Sequence, residues 1–237
     1  MSLSEQQLAS QKNLSWILAG KLAQRIFRGE YQPGSILPGE IELGELFGVS
    51  RTAIREAVKT LAAKGMVLPR PRIGTRVLPR SHWNFLDTGM LSWWMTDNNS
   101  FEVIDHFLVM RSALEPEACA LAAIHGSGED KARLGTLMNE MYELQKDFDR
   151  ERWVEVDMDY HELIYAMSNN PFISSFANLF RPVYLRYFSS VTYDEVVKLS
   201  HHREVVDAII EGDGPAARAA CLDLLNAPVP HPTSNDK

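Results

Sequence analysis

The sequence predicts a mainly α-helical protein of two parts: an N-terminal winged helix-turn-helix and a C-terminal all-α antiparallel helical bundle. Three observations carry this. Apolar residues recur at helical spacing through residues 16–61, give way to two short extended runs at 66–69 and 75–78, and return to helical spacing from residue 101 onward. No alternating β pattern follows residue 101. Charge is segregated: residues 1–80 carry a net +6 and residues 81–237 a net −13, within an overall −7. A basic N-terminal third on an acidic body suggests a module for a polyanion joined to a different function.

The first helix follows from Trp16, Ile17, Ala19, Leu22, Ala23 and Ile26, and Gly29 stops it. Pro33-Gly34 and Leu37-Pro38 mark a turn and an extended link. Glu40 to Phe47 makes a short second helix and Gly48-Val49 a tight turn. Ser50 is suited to cap a third helix over Arg51–Lys64, with Ile54, Ala57, Val58 and Leu61 inward and Gly65 closing it. Arg70-Pro71-Arg72-Ile73-Gly74 is then the basic turn of a hairpin. Residues 1–79 form this first domain. Residues 80–100 read as an aromatic-rich linker, and three tryptophans predict that it packs against a folded surface. Residues 101–226 hold helices over Phe101–His125, Glu129–Asp149, Arg150–Ser168, Pro171–Ser190, Tyr193–Glu211 and Gly214–Leu225. Short loops between them predict antiparallel neighbours. Residues 227–237 read as a flexible tail.

The third helix begins with Ser50, Arg51, Thr52 and, one turn on, Arg55. Arg there can donate two hydrogen bonds to a guanine edge in the major groove of double-stranded DNA. The hairpin tip, with Arg72, Gly74 and Thr75, is placed to follow the adjacent minor groove. No apolar run reaches the length of a membrane span, the N-terminus lacks an apolar signal core, and Cys119 and Cys221 read as buried thiols, so the expected compartment is the cytoplasm, with no membrane partner.

In the bundle, polar groups stand on core stripes. Asp157 and His161 lie four apart on the stripe Trp153, Asp157, Tyr160, His161, Ile164. His202 lies on the stripe Leu199, His202, Val206, Ile209. A buried carboxylate and imidazole need a partner: either each other, or a divalent metal ion, with zinc, nickel and manganese all suited. Arg111 stands on the stripe Val103, Phe107, Met110, Arg111, Leu114, Ala118 and needs an anion. That anion is a ligand carboxylate, Glu115 or Asp157.

The text Leu37-Pro38-x-Glu40, Val49-Ser50-Arg51-Thr52-x-x-Arg55-Glu56-Ala57 and Gly74-Thr75-x-Val77 resembles the winged helix of GntR-type bacterial transcription regulators. Arg111-x-x-Leu114-Glu115-Pro116, Asp157-x-x-x-His161, Ser168-x-Asn170-Pro171-Phe172 and His202-Arg203 resemble the FCD ligand-binding domain of the FadR-like branch. The resemblance implies operator contacts by Ser50, Arg51, Thr52 and Arg55, with Ile41 standing where the family often has arginine. It also implies metal ligands at Asp157, His161 and His202, with Leu224 where a fourth ligand is expected. Trp83-Asn84-x-Leu86-Asp87 with Leu91-x-Trp93 looks like regulators of galactonate-type sugar-acid operons. The expected function is a homodimeric, cytoplasmic transcription regulator, a repressor of a carbon-catabolism operon. It would bind an inverted repeat and respond to a small organic acid, such as a sugar acid, held by the metal and Arg111. The competing expectation is a metal-dependent enzyme fused to a DNA-binding module. No separate general base, nucleophile or phosphate loop supports it, so no catalytic residue is assigned.

Overall fold

The structure is a computed structural model that describes residues 3–95, 100–179, 181–183 and 198–227. It divides into two compact units, up to Thr96 and from Asp97.

In the first unit, α1 (Leu3–Phe27) turns Leu18, Ala19, Leu22, Ala23 and Ile26 inward. It starts well before Trp16, because the polar stretch ahead of that residue is made of good helix formers, Glu, Gln, Ala and Leu. α2 (Glu40–Phe47) closes at Gly48 in the left-handed region. α3 (Arg51–Ala63) starts on Ser50, whose Oγ accepts the Ala53 N–H at 3.3 Å. Gly65 follows with φ +74, and a Cβ there would lie 2.1 Å from the His82 carbonyl oxygen, so only glycine fits. Strands β1 (Val67–Arg70) and β2 (Gly74–Val77) pair antiparallel, Val67 opposite Val77 and Arg70 opposite Gly74. The Leu37 N–H donates to the Thr75 carbonyl at 2.8 Å and ties the extended link to the wing. The aromatic segment folds back onto this unit. A 3-10 turn (Arg80–His82) leads to α4 (Thr88–Trp94), and Trp83, Met90 and Trp93 join one core with α1 and α3.

The second unit is entirely helical among the described residues: α5 (Ser100–His125), α6 (Gly128–Leu144), α7 (Arg150–Met167), α8 (Pro171–Ser175), α9 (Leu199–Glu211) and α10 (Gly214–Asn226). α5 lies against α7, α9 and α10, α10 also against α9, and α6 against α7 and α9. Two helices are shorter than their sequence patterns suggest. α8 ends at Ser175 and tightens into a 3-10 turn through Leu179, where one continuous helix to Ser190 was expected. Asn170 caps α8 and Pro171 starts it, Phe172 is exposed, and helical backbone returns at residues 181–183, where Val183 is buried. Residues 184–190 of that expected helix lie outside the described residues. α9 begins at Leu199, after Lys198 with φ 57, and the expected start at Tyr193 also lies outside them. α6 stops at Leu144, short of Asp149, which instead caps α7. Cys119 and Cys221 are buried and free. No helix among the described residues is long and apolar enough to cross a membrane.

Candidate functional site

Three helices aim charged groups into the middle of the bundle. α5 supplies Arg111 and Glu115, α7 supplies Asp157 and His161, and α9 supplies His202, all buried. Each pair on one helix is four residues apart, so helical geometry stacks its members on one face. Ligand atoms of Asp157, His161 and His202 all lie within 4.8 Å of one another.

The hydrogen bonds fix how these groups present themselves. His202 Nδ1 lies 2.9 Å from the Lys198 carbonyl oxygen, which can only accept, so Nδ1 carries the proton. His161 Nδ1 lies 2.5 Å from Glu115 Oε1, and the same reasoning puts its proton there. With Nδ1 donating outward, each ring turns its Nε2 inward. His202 Nε2 is 3.1 Å and His161 Nε2 3.8 Å from Asp157 Oδ1. That oxygen is buried and makes no hydrogen bond among the described residues. The longer separation also rules out the direct Asp157–His161 hydrogen bond that the sequence left open. Asp157 Oδ1 and the two Nε2 atoms thus converge, with Arg111 donating to His161 Nε2, and one carboxylate with two imidazoles is a donor set that a divalent cation fits. In the structure, positive charge comes from Arg111. Its Nη2 lies 2.7 Å from His161 Nε2 and its Nε bonds Glu115 Oε2 at 2.5 Å. Of the three anions open to Arg111, Glu115 is the one it meets directly.

Charge balance follows. Burial raises the Glu115 carboxyl, but Arg111 and His161 outweigh it and hold the group down to about 2. Burial likewise raises the Asp157 carboxyl, and the neighbouring histidines and Arg111 bring it below its ordinary range. Burial lowers His161, and Arg111 lowers it further against the pull of Glu115. The ring is thus kept neutral, the form in which imidazole ligates a metal.

Glu115 and Lys198 are supports that periodicity did not assign. Glu115 was legible only as one possible partner of Arg111. Lys198 acts through its backbone carbonyl, set by a left-handed residue at the helix entry, which no residue pattern announces. Tyr160 adds a third support, its hydroxyl donating to the His202 carbonyl at 3.2 Å.

The first unit presents a different face. Arg51 and Thr52 are exposed at the start of α3. Arg55 is gripped by Glu40 through two bonds, 3.0 Å from Nε and 2.8 Å from Nη2. Ser50 spends its acceptor on the helix cap. Arg72 stands at the wing tip with φ 65, and Gly74 has φ +104 with Ile36 packed 2.8 Å from where a Cβ would be. Fold geometry alone thus accounts for that glycine. Thr75 is half-buried, its carbonyl used by Leu37. Glu40, Arg55, Lys59, Arg70 and Arg72 line a groove of about 560 Å³ between α3 and the wing. Ile41 is 58% exposed beside it.

Known proteins repeat both units. The family model for bacterial regulatory proteins of the gntR family matches residues 15–77, and the model for the FCD domain matches residues 106–227. An HTH-type transcriptional regulator, YieP, of Escherichia coli (strain K12) is 67% identical over 228 residues, covering 96% of this chain and 99% of its own. The galactonate operon transcriptional repressor of the same organism is 33% identical over 208 residues, covering 86% of this chain and 90% of its own. Among solved structures, a Streptococcus agalactiae GntR protein aligns with a TM-score of 0.50 at 24% identity, covering 89% of this chain and 97% of that one.

Proposed function

This chain belongs to the GntR family of DNA-binding transcription regulators and carries an FCD domain, and from that premise we propose that it is a repressor released by a small hydroxylated organic acid. The observation that carries the proposal is the convergence of Asp157 Oδ1, His161 Nε2 and His202 Nε2 with both Nδ1 protons already committed. These three atoms would hold one divalent cation, which supplies a fixed positive charge to a carboxylate. Arg111, already in the cluster, adds a second positive group on the same side of the charge balance. Sugar acids suit such a site because a hydroxyl beside the carboxylate offers a further oxygen ligand. The galactonate repressor among the relatives supports that class.

On the first unit, Arg51, Thr52 and Arg55 of α3 read the operator in the major groove, Ser50 sets the helix start, and Arg72, Gly74 and Thr75 carry the wing. The chain works as a homodimer on an inverted repeat, because one winged helix reads few bases. The acid changes DNA affinity only by favouring one dimer conformation over the other.

Thermal shift and gel shift with galactonate, with and without a chelator, test this. The expected result is a melting temperature raised by metal and raised again by the acid, and operator release by the acid only when metal is present. Acid-induced release that survives chelation and the His161→Ala change would place the effector elsewhere.

A further inference from the structure

Trp153 stands one turn before Asp157 on the same face of α7, and its ring meets the His202 ring edge-on at 6.3 Å. It is 2% exposed, and its Nε1 makes no hydrogen bond among the described residues. Buried tryptophans ordinarily place this N–H on an acceptor. Trp83 in the first unit does so, donating to the Leu78 carbonyl at 2.9 Å. If Trp153 only filled space, phenylalanine would serve without a stranded donor.

The chemistry of the neighbourhood says what this donor is for. Asp157, His161 and His202 present metal-ligand atoms, which a cation satisfies. An indole N–H can only donate, so a cation leaves it as it is. The partner that satisfies both is an anion with oxygen lone pairs, bound to the cation through one oxygen and accepting from Nε1 through another. We propose that Trp153 Nε1–H is the hydrogen-bond donor to the bound acid and so a residue that determines effector specificity. This rests on the metal-and-acid reading above. The site thereby selects an oxygen acceptor, carboxylate or hydroxyl, and disfavours a ligand that places an ammonium or a methyl group there.

The test combines calorimetry with the nitrogen-15 spectrum of the indole groups, using zinc and then galactonate as probes. The signal that disappears in Trp153→Phe identifies the residue. In the wild-type protein that signal should move downfield on adding galactonate and stay within its linewidth on adding zinc alone. Trp153→Phe should keep zinc affinity within about twofold and lose about tenfold in galactonate affinity, the loss of one hydrogen bond to an anion. Equal galactonate affinity in wild type and variant, with an unmoved signal, overturns the role of Trp153 and leaves the metal-and-acid reading standing. Zinc binding without any response to galactonate in the wild type overturns that reading and this inference with it. Parallel losses of zinc and galactonate affinity in the variant would make Trp153 structural and also overturn the proposal. Should Trp153→Phe not fold, the wild-type signal, assigned through its contact with the His202 ring, decides alone.

Discussion

Each unit draws a charged cluster out of solvent, partly in the first and fully in the second, and the two clusters differ in what is left over. In the first unit Lys64 is 8% exposed, pairs with Asp87 Oδ1 at 2.5 Å, and lies 5.1 Å and 5.2 Å from the Trp16 and Trp93 ring centres. Asp87 Oδ1 also caps α4 by accepting the Met90 N–H at 2.8 Å. Every oxygen that this contact uses has a donor, and the cation is covered by rings. In the second unit the Arg111–Glu115–His161 part is equally well paired, but Asp157 Oδ1, 3.1 Å from His202 Nε2, has no hydrogen-bond partner among the described residues. A closed cluster serves the fold. An open one, more deeply buried, costs stability and is worth having only where something binds.

Removing a cation from either cluster should be costly, and more so in the second unit. Arg111→Met leaves Glu115 buried with a neutral imidazole for company, and should cost about 4 kcal/mol in urea unfolding of the metal-free protein. Lys64→Met should cost about 2 kcal/mol, because Asp87 keeps the Met90 N–H and some water. That second loss has a pH signature. Burial raises the Asp87 carboxyl, while Lys64 and the N–H groups of Met90 and Gly89 outweigh it and bring the group below its ordinary 3.8. A lowered carboxyl contributes stability that is fully present above its unfolded value and lost as pH falls through its folded one. Wild type and Lys64→Met should therefore converge in stability below pH 3.8, and an unchanged gap there would show that the ion pair is not what Lys64 contributes.

Asp157→Asn should have the opposite sign. Its amide can donate to the His202 lone pair, so the metal-free protein should gain about 1 kcal/mol while losing its thermal response to metal. A destabilised Asp157→Asn protein would mean that the carboxylate already has a partner. The smallest effect belongs to the exposed pair on the first unit. Glu40→Gln should leave folding stability unchanged within about 0.5 kcal/mol, since exposed ion pairs contribute little. It should weaken operator binding about threefold by freeing Arg55 from its fixed orientation, measurable by gel shift. Arg55→Ala, which removes the contact itself, should lose more.

The sequence showed both units and the cluster for one reason: helical periodicity is a local signal, and Asp157, His161 and His202 are polar interruptions in it. The wing was legible because Pro71 and Gly74 punctuate two short extended runs. What stayed out of reach depends on contacts between elements. Glu40 meets Arg55 across fifteen residues, and Lys198 orients His202 through a carbonyl. The orphaned Trp153 N–H is invisible in the sequence, where Trp153 is one more apolar member of its stripe.

Asp157, His161 and His202 bring ligand atoms within 4.8 Å of one another, a spacing that one divalent cation would bridge. The direct measurement is calorimetric titration of metal-stripped protein with zinc, nickel and manganese, wild type against the Asp157→Asn, His161→Ala and His202→Ala variants. The wild type should bind one ion per chain, and each variant should lose at least tenfold in affinity, with operator binding retained. A wild-type protein that binds none of the three ions, or a triple variant that binds them as well as the wild type does, would contradict it.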